Sequence, residues 1–226
     1  MLYVVATPIG NLEDLTPRAL RVLKNSEVIL CEDTRKTGLL LQHFQIAGPR
    51  LVSYFEHNEQ TRIPEVLDLL RAGKIVSLVT NAGTPAISDP GFKLIREVAD
   101  ERLEVVTIPG PCAAIAALAI SGLPTDKFAF LGFLPKKSQQ LIKILQPLKD
   151  LPYAVSCVAY ESPYRLLSSL KVIQEIAGPE AMVSVHREMT KVHEESLRGT
   201  MAEVLSQLQE KGRLKGEITL VFRLTS

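Results

Sequence analysis

The sequence lacks a large net charge of either sign and lacks long apolar runs. Its 226 residues include 26 Lys and Arg and 25 Asp and Glu, so the formal net charge is +1. This balance gives no global indication of nucleic-acid binding, and any basic surface must be local. The longest uninterrupted apolar run, residues 112–120, is far shorter than the ~20 residues that a membrane helix needs. We therefore expect no membrane contact.

Cysteine and histidine are also scarce. The three cysteines, Cys31, Cys112 and Cys157, are widely spaced among apolar neighbours. This pattern predicts free thiols in a reducing cytosol rather than a disulfide framework or a zinc site. His186 and His193 lack the H-E-x-x-H spacing of a zinc site, so we predict no metal. The apolar start, residues 1–6, has no basic segment and is too short for a signal peptide. A cytoplasmic location follows.

Both standard phosphate-binding motifs are absent. Neither the Rossmann pattern G-x-G-x-x-G nor the lysine-containing P-loop occurs in the chain. Any cofactor must therefore be held by a different arrangement.

What the sequence does contain is an alternation of apolar strand patterns and helical patterns. In the first half, segments such as residues 2–6, 27–31 and 74–79 are apolar on both faces, which predicts a parallel sheet covered by helices on both sides. The second half changes character after a linker-like segment at 123–125. We predict two α/β domains, residues 1–121 and 122–226.

Three loops rich in glycine or proline follow predicted strands, at residues 7–11, 81–91 and 109–111. Each alone is an ordinary strand-to-helix turn. Open α/β sheets bind ligands at the carboxyl ends of their strands, so three such loops together favour a shared ligand site. The segment 79–91 offers backbone groups after a buried strand, and we hypothesise that it holds a small polar cofactor.

Several polar groups near these loops have two interpretations. Asp89 precedes Pro90 and is either the N-cap of the next helix or a carboxylate that contacts a cofactor. Glu32 and Asp33 follow a strand and form either a solvated, helix-capping turn or a substrate-facing edge. The basic helix that begins near Lys136 is either a solvated face or a phosphate contact.

Several segments, taken together and in this order, closely resemble the ribosomal RNA small subunit methyltransferase I family of the tetrapyrrole methylase superfamily. The resemblance runs nearly end to end. It is carried by LYVVATPIGNL at 2–12, EDTR at 32–35, HNE at 57–59, NAGTP at 81–85 with DPG at 89–91, PGPCAA at 109–114, GFLP at 132–135 and REMTK at 187–191.

The resemblance implies S-adenosylmethionine-dependent 2′-O-methylation of a cytidine ribose in bacterial small-subunit rRNA, with free rRNA or the 30S subunit as substrate. It also implies two α/β domains, a cofactor cleft between them, and a homodimer. One alternative is a methylase of a tetrapyrrole or of another small molecule or protein. Another is a non-catalytic, ligand-binding module of ribosome assembly.

The resemblance also implies roles for single residues. The expected cofactor contacts are Pro8, Ala82, Gly83, Thr84, Ile87, Asp89, Cys112, Ala113 and Tyr160. The catalytic candidates are Asp89, Glu32 and Asp33, and Glu161 is a further candidate general base. The expected RNA-side residues are Arg35, Lys36, Lys136, Lys137 and Arg165.

The chain departs from the family pattern at two places. Relatives often have an acid where Asn81 stands. They also commonly continue beyond the position of Ser226, so the chain is expected to be either truncated or a short member of the family.

Overall fold

The chain divides into two units, Met1–Cys112 and Ala113–Ser226, in the computed structural model, which describes residues 1–212 and 214–224. The strands of the first unit are β1 (Leu2–Val5), β2 (Val28–Cys31), β3 (Arg50–Ser53), β4 (Val76–Leu78) and β5 (Val105–Ile108). Its helices are α1 (Pro17–Asn25), α2 (Thr34–His43), α3 (Glu59–Arg71) and α4 (Phe92–Asp100).

The first sheet is parallel throughout, with the strand order β3-β2-β4-β1-β5. Alternate residues of its strands enter two separate apolar cores. One core contains Leu30 with residues of α3 and α4, and the other contains Ile29 with residues of α1 and α2. Both faces of the sheet are therefore covered by helices, which confirms the predicted α/β class.

The strand order reverses between β1 and β4. These neighbouring strands lead into helices on opposite faces, because Leu23 of α1 lies in one core and Leu94 of α4 lies in the other. A crevice opens at the carboxyl ends of such strands, where open α/β sheets bind their ligands. The loops after β1 and β4 flank this point.

The first residues of three helices show where the capping preference of a single residue determines the start of a helix and where it does not. Thr16, a residue type that favours this position, caps α1 and accepts a 3.0 Å bond from the Ala19 backbone, with a proline at the first helical position. Thr200 and Glu203 form a capping box at the start of α8. Of the two interpretations of Asp89, the helix cap is not observed. Helix α4 begins at Phe92 and is preceded by Gly91, whose φ of 136° suits glycine.

The second unit combines a mixed sheet with four helices. Its strands are β6 (Phe128–Phe133), β7 (Ser156–Glu161), β8 (Met182–Arg187), β9 (Glu195–Thr200) and β10 (Ile218–Arg223), in the order β6-β7-β10-β8-β9. Only the β6–β7 pair is parallel among these neighbours. Its helices are α5 (Ala113–Ile120), α6 (Ser138–Lys149), α7 (Leu166–Ala177) and α8 (Met201–Lys211).

The division between the units lies earlier than the boundary predicted after residue 121. Helix α5 packs on β7 and β10, so it belongs to the second unit. The linker-like residues after α5 suggested the later boundary, but they lie inside the second unit. Within the described residues, no helix has the length and apolar character to cross a membrane.

Candidate cofactor-binding and active site

The three loops predicted to share a ligand site meet at the carboxyl edge of the first sheet. Thr7 and Gly83 exchange two backbone hydrogen bonds of 2.8 and 3.0 Å, which join the loop after β1 to the loop after β4. The Thr84 hydroxyl donates a 3.0 Å hydrogen bond to the Pro111 carbonyl, which adds the loop after β5. The three loops therefore form one surface, which we call the cradle (residues 7–9, 80–91 and 109–111).

The loop after β4 adopts an unusual backbone. Gly83 has a φ of 87°, and a Cβ atom there would lie 3.4 Å from the Ile9 side chain. Ala86 and Ser88 have φ angles of 67° and 61°, in the left-handed region that non-glycine residues seldom adopt. Such conformations cost about 1 kcal/mol or more each and cluster at ligand sites. Nothing in the sequence signals them at these two positions.

Glu59 anchors the end of this loop. Its carboxylate is buried, with the residue 4% exposed, and accepts a 2.9 Å bond from the Gly91 backbone and a 3.1 Å bond from the Tyr54 hydroxyl. Lys93 lies 3.1 Å from its other oxygen. Burial, and then the Glu59 charge, raise the pKa of Tyr54. Glu59 therefore has a structural role, which the sequence does not reveal because its Gly91 partner lies 32 residues away in the chain.

Asp89 is the acidic residue of the cradle, and its surroundings perturb its ionisation. Burial raises the pKa of its carboxyl group to about 6. The nearby Thr80 hydroxyl opposes this shift, and the Glu32 charge adds to it. A pKa in this range suits a general base that works near neutral pH.

Glu32 and Asn81 connect the ends of β2 and β4. The Asn81 amide donates a 2.6 Å hydrogen bond to Glu32 Oε2. Asn81 Oδ1 and Thr80 Oγ1 are buried and have no well-formed hydrogen bond within the described part of the chain. The Thr80 hydroxyl interacts with the Asp89 carboxyl group. Buried polar atoms are normally satisfied, so Asn81 Oδ1 marks a place where a polar ligand or water would fit. Thr80 is not among the predicted site residues. The sequence signal that could have found it is a hydroxyl side chain just beyond the end of β4.

Asp33, the neighbour of Glu32, has a helix-capping position and an arginine partner. It caps α2, and its carboxylate binds the Arg35 guanidinium at 3.1 and 2.8 Å. The bonds from Arg35 hold the pKa of Asp33 at about 2. Such a carboxylate is a weak proton acceptor near neutral pH. Arg35 and Lys36 are both exposed beside it.

The remaining predicted cofactor residues fall in both units. Pro8 is buried next to Thr7, Ala82 is half-buried, and Ile87 is exposed on the loop after β4. Cys112 is half-buried at the end of the first unit. In the second unit, Ala113 begins α5 and Tyr160 lies near the end of β7.

Glu161 and Arg165 form a buried pair in the second unit. Glu161 is 2% exposed and is held by Arg165, by the Ser169 hydroxyl and by the Ser162 backbone. Arg165 also donates a 3.1 Å bond to the Leu134 carbonyl. These bonds occupy the Glu161 carboxylate, which therefore is poorly placed to act as a general base. Lys136 and Lys137, in contrast, are exposed before α6.

His186 is fully buried between two hydroxyls, with 2.8 Å contacts from its ring nitrogens to Ser184 and Ser196. Burial, with the Arg198 charge, lowers its pKa to about 4. Within residues 1–212 and 214–224, no three His, Cys, Asp or Glu side chains gather as a metal site would require.

Comparison with known proteins places this chain in a family. The family model described as Tetrapyrrole (Corrin/Porphyrin) Methylases matches residues 1–205. A ribosomal RNA small subunit methyltransferase I from Hydrogenobaculum sp. (strain Y04AAS1) is 48% identical, over 97% of this chain and 94% of that protein. A relative of the same name from Thermotoga maritima is 47% identical, over 97% of this chain and 96% of its own length.

Solved structures share the fold at low identity. The methyltransferase CobJ has a TM-score of 0.70 at 18% identity, covering 97% of this chain and 92% of its own. A uroporphyrin-III C-methyltransferase from Thermus thermophilus, complexed with S-adenyl homocysteine, has a TM-score of 0.63 at 19% identity, covering 97% of this chain and 96% of its own. The parallel sheet, the cradle and these similarities agree, and the chain belongs to the ribosomal RNA small subunit methyltransferase I family within the tetrapyrrole methylases.

Proposed function

We propose that this protein is an S-adenosylmethionine-dependent methyltransferase that methylates the 2′-oxygen of a cytidine ribose in small-subunit rRNA. The substrate is the free rRNA or the assembled subunit, the place of action is the cytoplasm, and the protein acts as a homodimer. The observation that carries the proposal is the cradle around Asp89, in a chain whose relatives are named as rRNA methyltransferases.

The residues of the cradle fit a polar cofactor. Ala82, Gly83 and Thr84 offer backbone groups in the loop after β4, and the buried Asn81 Oδ1 has no hydrogen-bond partner within the described residues, so a ligand would satisfy it. Pro8 and Ile87 complete this part of the proposed contact. Cys112, Ala113 and Tyr160 are proposed as further contacts.

The protein's task is chiefly to position the substrate. When bound, S-adenosylmethionine supplies an activated methyl group. The residues around it then need to hold the ribose hydroxyl in line and exclude competing water, a contribution that can reach several powers of ten in rate. This accounts for a site built from loop backbone rather than from a nucleophilic side chain.

Asp89 is the proposed general base. A ribose hydroxyl is weakly acidic, so a carboxylate with a pKa of about 6 helps by accepting its proton. Glu32 supports this role through its negative charge, which keeps the proton affinity of Asp89 high. Asp33 is left out of the chemistry because Arg35 lowers its pKa to about 2.

RNA binding is assigned to exposed cations. Arg35, Lys36, Lys136 and Lys137 are exposed and are proposed to contact phosphates. Arg165 is proposed to act indirectly, because its guanidinium is engaged by Glu161 and Leu134. Use of the 2′-hydroxyl as the reacting group also distinguishes RNA from DNA.

Two successive measurements test the proposal. Calorimetry with S-adenosylmethionine measures cofactor binding, and transfer of a radiolabelled methyl group is then compared on small ribosomal subunits, naked rRNA and a uroporphyrinogen. We expect binding, followed by transfer to one of the RNA substrates. Transfer to the tetrapyrrole instead would indicate a small-molecule methylase. Cofactor binding without transfer to any substrate would indicate a non-catalytic module.

A further inference from the structure

Three aromatic rings gather at the end of β6 in the second unit. The Tyr160 ring lies 5.2 Å from the Phe130 ring and 5.4 Å from the Phe133 ring, measured between centroids. Phe130 and Tyr160 are half-buried, whereas Phe133 is 64% exposed. A large aromatic ring that is supported from one side and open on the other is a surface on which a flat ligand can stack.

The charged residues that follow Phe133 along the chain are basic as far as Lys149. Residues 128–149 contain four lysines and no acid. Lys136 and Lys137 are exposed and form no ion pair within the described part of the chain. The nearby carboxylate, Glu161, is buried and neutralised by Arg165. The surface therefore complements a polyanion.

The backbone that presents Phe133 is held firmly. Leu134, the next residue, is 2% exposed and anchors the segment in the core. Its backbone N–H donates a 3.1 Å bond to the Tyr160 carbonyl, and its carbonyl accepts a 3.1 Å bond from Arg165. Glu161 in turn holds Arg165. A ring fixed before binding loses little conformational freedom when a ligand arrives.

We infer that Phe133 is a stacking platform for an unpaired nucleobase of the substrate RNA, with Lys136 and Lys137 binding the adjacent phosphates. Aromatic rings beside uncompensated cations are the usual means of holding single-stranded RNA. This inference rests on the proposed function, because it takes RNA as the substrate. It adds a residue that recognises the single-stranded form of the target.

The first test uses matched phenylalanine variants of the full chain and a fluorescein-labelled single-stranded oligocytidylate. We expect Phe133→Ala to weaken RNA binding by about tenfold, in the range that loss of one stacked base produces. Phe133→Tyr retains a ring and should bind as the wild type does. Phe128→Ala is the control, because Phe128 is exposed on the same strand but far from these lysines. Calorimetry with S-adenosylmethionine should give the same affinity for all four proteins.

The second test uses salt. For single strands, each phosphate contact contributes about 0.7 to the slope of log affinity against log salt concentration. We expect the Lys136→Gln and Lys137→Gln double variant to lower that slope by about 1.4. Lys171→Gln, an exposed lysine of α7, should leave it unchanged.

The outcomes separate the inference from the proposed function. If the wild type methylates rRNA and Phe133→Ala binds RNA as tightly as the wild type, the inference is overturned and the function stands. If light scattering shows that Phe133→Ala converts a dimer to monomers with RNA affinity unchanged, the ring contacts a second copy, and the inference is again overturned. If the wild type transfers no methyl group to any RNA, the proposed function fails, whatever the oligocytidylate affinities are.

Discussion

The Asn81 side-chain amide donates a 2.6 Å hydrogen bond to the Glu32 carboxylate, joining the ends of β4 and β2. The Glu32 charge contributes to the raised pKa of Asp89. The three side chains are therefore electrostatically linked, and a change at one of them should be measurable at the others.

Asn81→Asp should destabilise the protein more at high pH than at low pH. The new carboxylate would lie against Glu32, and like charges raise the pKa of such a pair above its unfolded value. Stability is then lost as the pH rises through the raised pKa. We expect a loss of roughly 1–3 kcal/mol at about pH 8 and a smaller one at about pH 5, measured by urea unfolding.

The matched control for this variant is the exchange Glu32→Gln with Asn81→Asp. It restores one carboxylate and one amide in contact and should recover most of the lost stability. An equal loss at both pH values would show that shape rather than charge is responsible.

Asp89→Asn should make the protein more stable at neutral pH and less active. The folded-state pKa of Asp89 is about 6 and its ordinary value is 3.8, so ionisation of the folded state is unfavourable. The penalty is absent below about pH 4 and complete above about pH 6. We expect a gain of roughly 1–3 kcal/mol at about pH 8 and none at about pH 4. Methyl transfer should fall and lose the acidic limb of its pH profile.

Asp89→Ala tests whether Asp89 has a structural role or contacts the cofactor. Since Gly91 rather than Asp89 precedes α4, no capping bond is lost. We expect the variant to weaken S-adenosylmethionine binding, measured by calorimetry. Expressed as free energies, this loss should exceed the loss of stability calculated from the change in melting temperature. A purely thermal effect of about 1 kcal/mol, with cofactor affinity unchanged, would favour a local structural role.

Glu59→Ala should destabilise the loop after β4, because it removes the side chain that anchors the end of this loop. It leaves the buried Tyr54 hydroxyl and the Gly91 N–H without their acceptor. Each unsatisfied group costs about 1–3 kcal/mol, so we expect a loss of roughly 2–4 kcal/mol in unfolding free energy together with weaker cofactor binding. Glu56→Ala is the exposed control and should change neither. Glu59→Gln keeps an acceptor and should lie between the two.

His186 should make the second unit sensitive to acid. Its pKa is about 4 when folded against an ordinary 6.5, so the unfolded chain binds a proton first as the pH falls. Stability is complete above about pH 6.5 and declines by up to about 3 kcal/mol toward pH 4. His186→Asn should remove this part of the decline, measured by fluorescence or circular dichroism at several pH values. His193→Asn, an exposed control, should retain it.

The sequence predicts the strands of the first unit well because both faces of its parallel sheet are buried, which leaves continuous apolar segments. Strand β9 is missed because its residues, Glu195–Thr200, are polar and half-exposed at the sheet edge. The sequence leaves the cap of α4 open between two interpretations of Asp89, and it is the backbone of Gly91 that precedes the helix. Local patterns fail where a long-range contact sets the conformation.

The same distinction applies to the site. The meeting of the three loops is predictable, because parallel strands end at one edge of a sheet. The anchoring by Glu59 is not, because its partners Tyr54 and Gly91 are brought to it only by the fold. The environments of Thr80 and Asp89 depend on the directions of their side chains, which no pattern of residue types specifies.

The paired hydrogen bonds between Thr7 and Gly83 have a consequence for local unfolding. Neither loop can detach without breaking both bonds, so the loops after β1 and β4 open as one cooperative unit. The amide protons of Thr7 and Gly83 then show a common free energy of opening in hydrogen exchange, although the two residues are far apart in the chain. A ligand that binds to either loop should therefore slow hydrogen exchange at the amides of both Thr7 and Gly83.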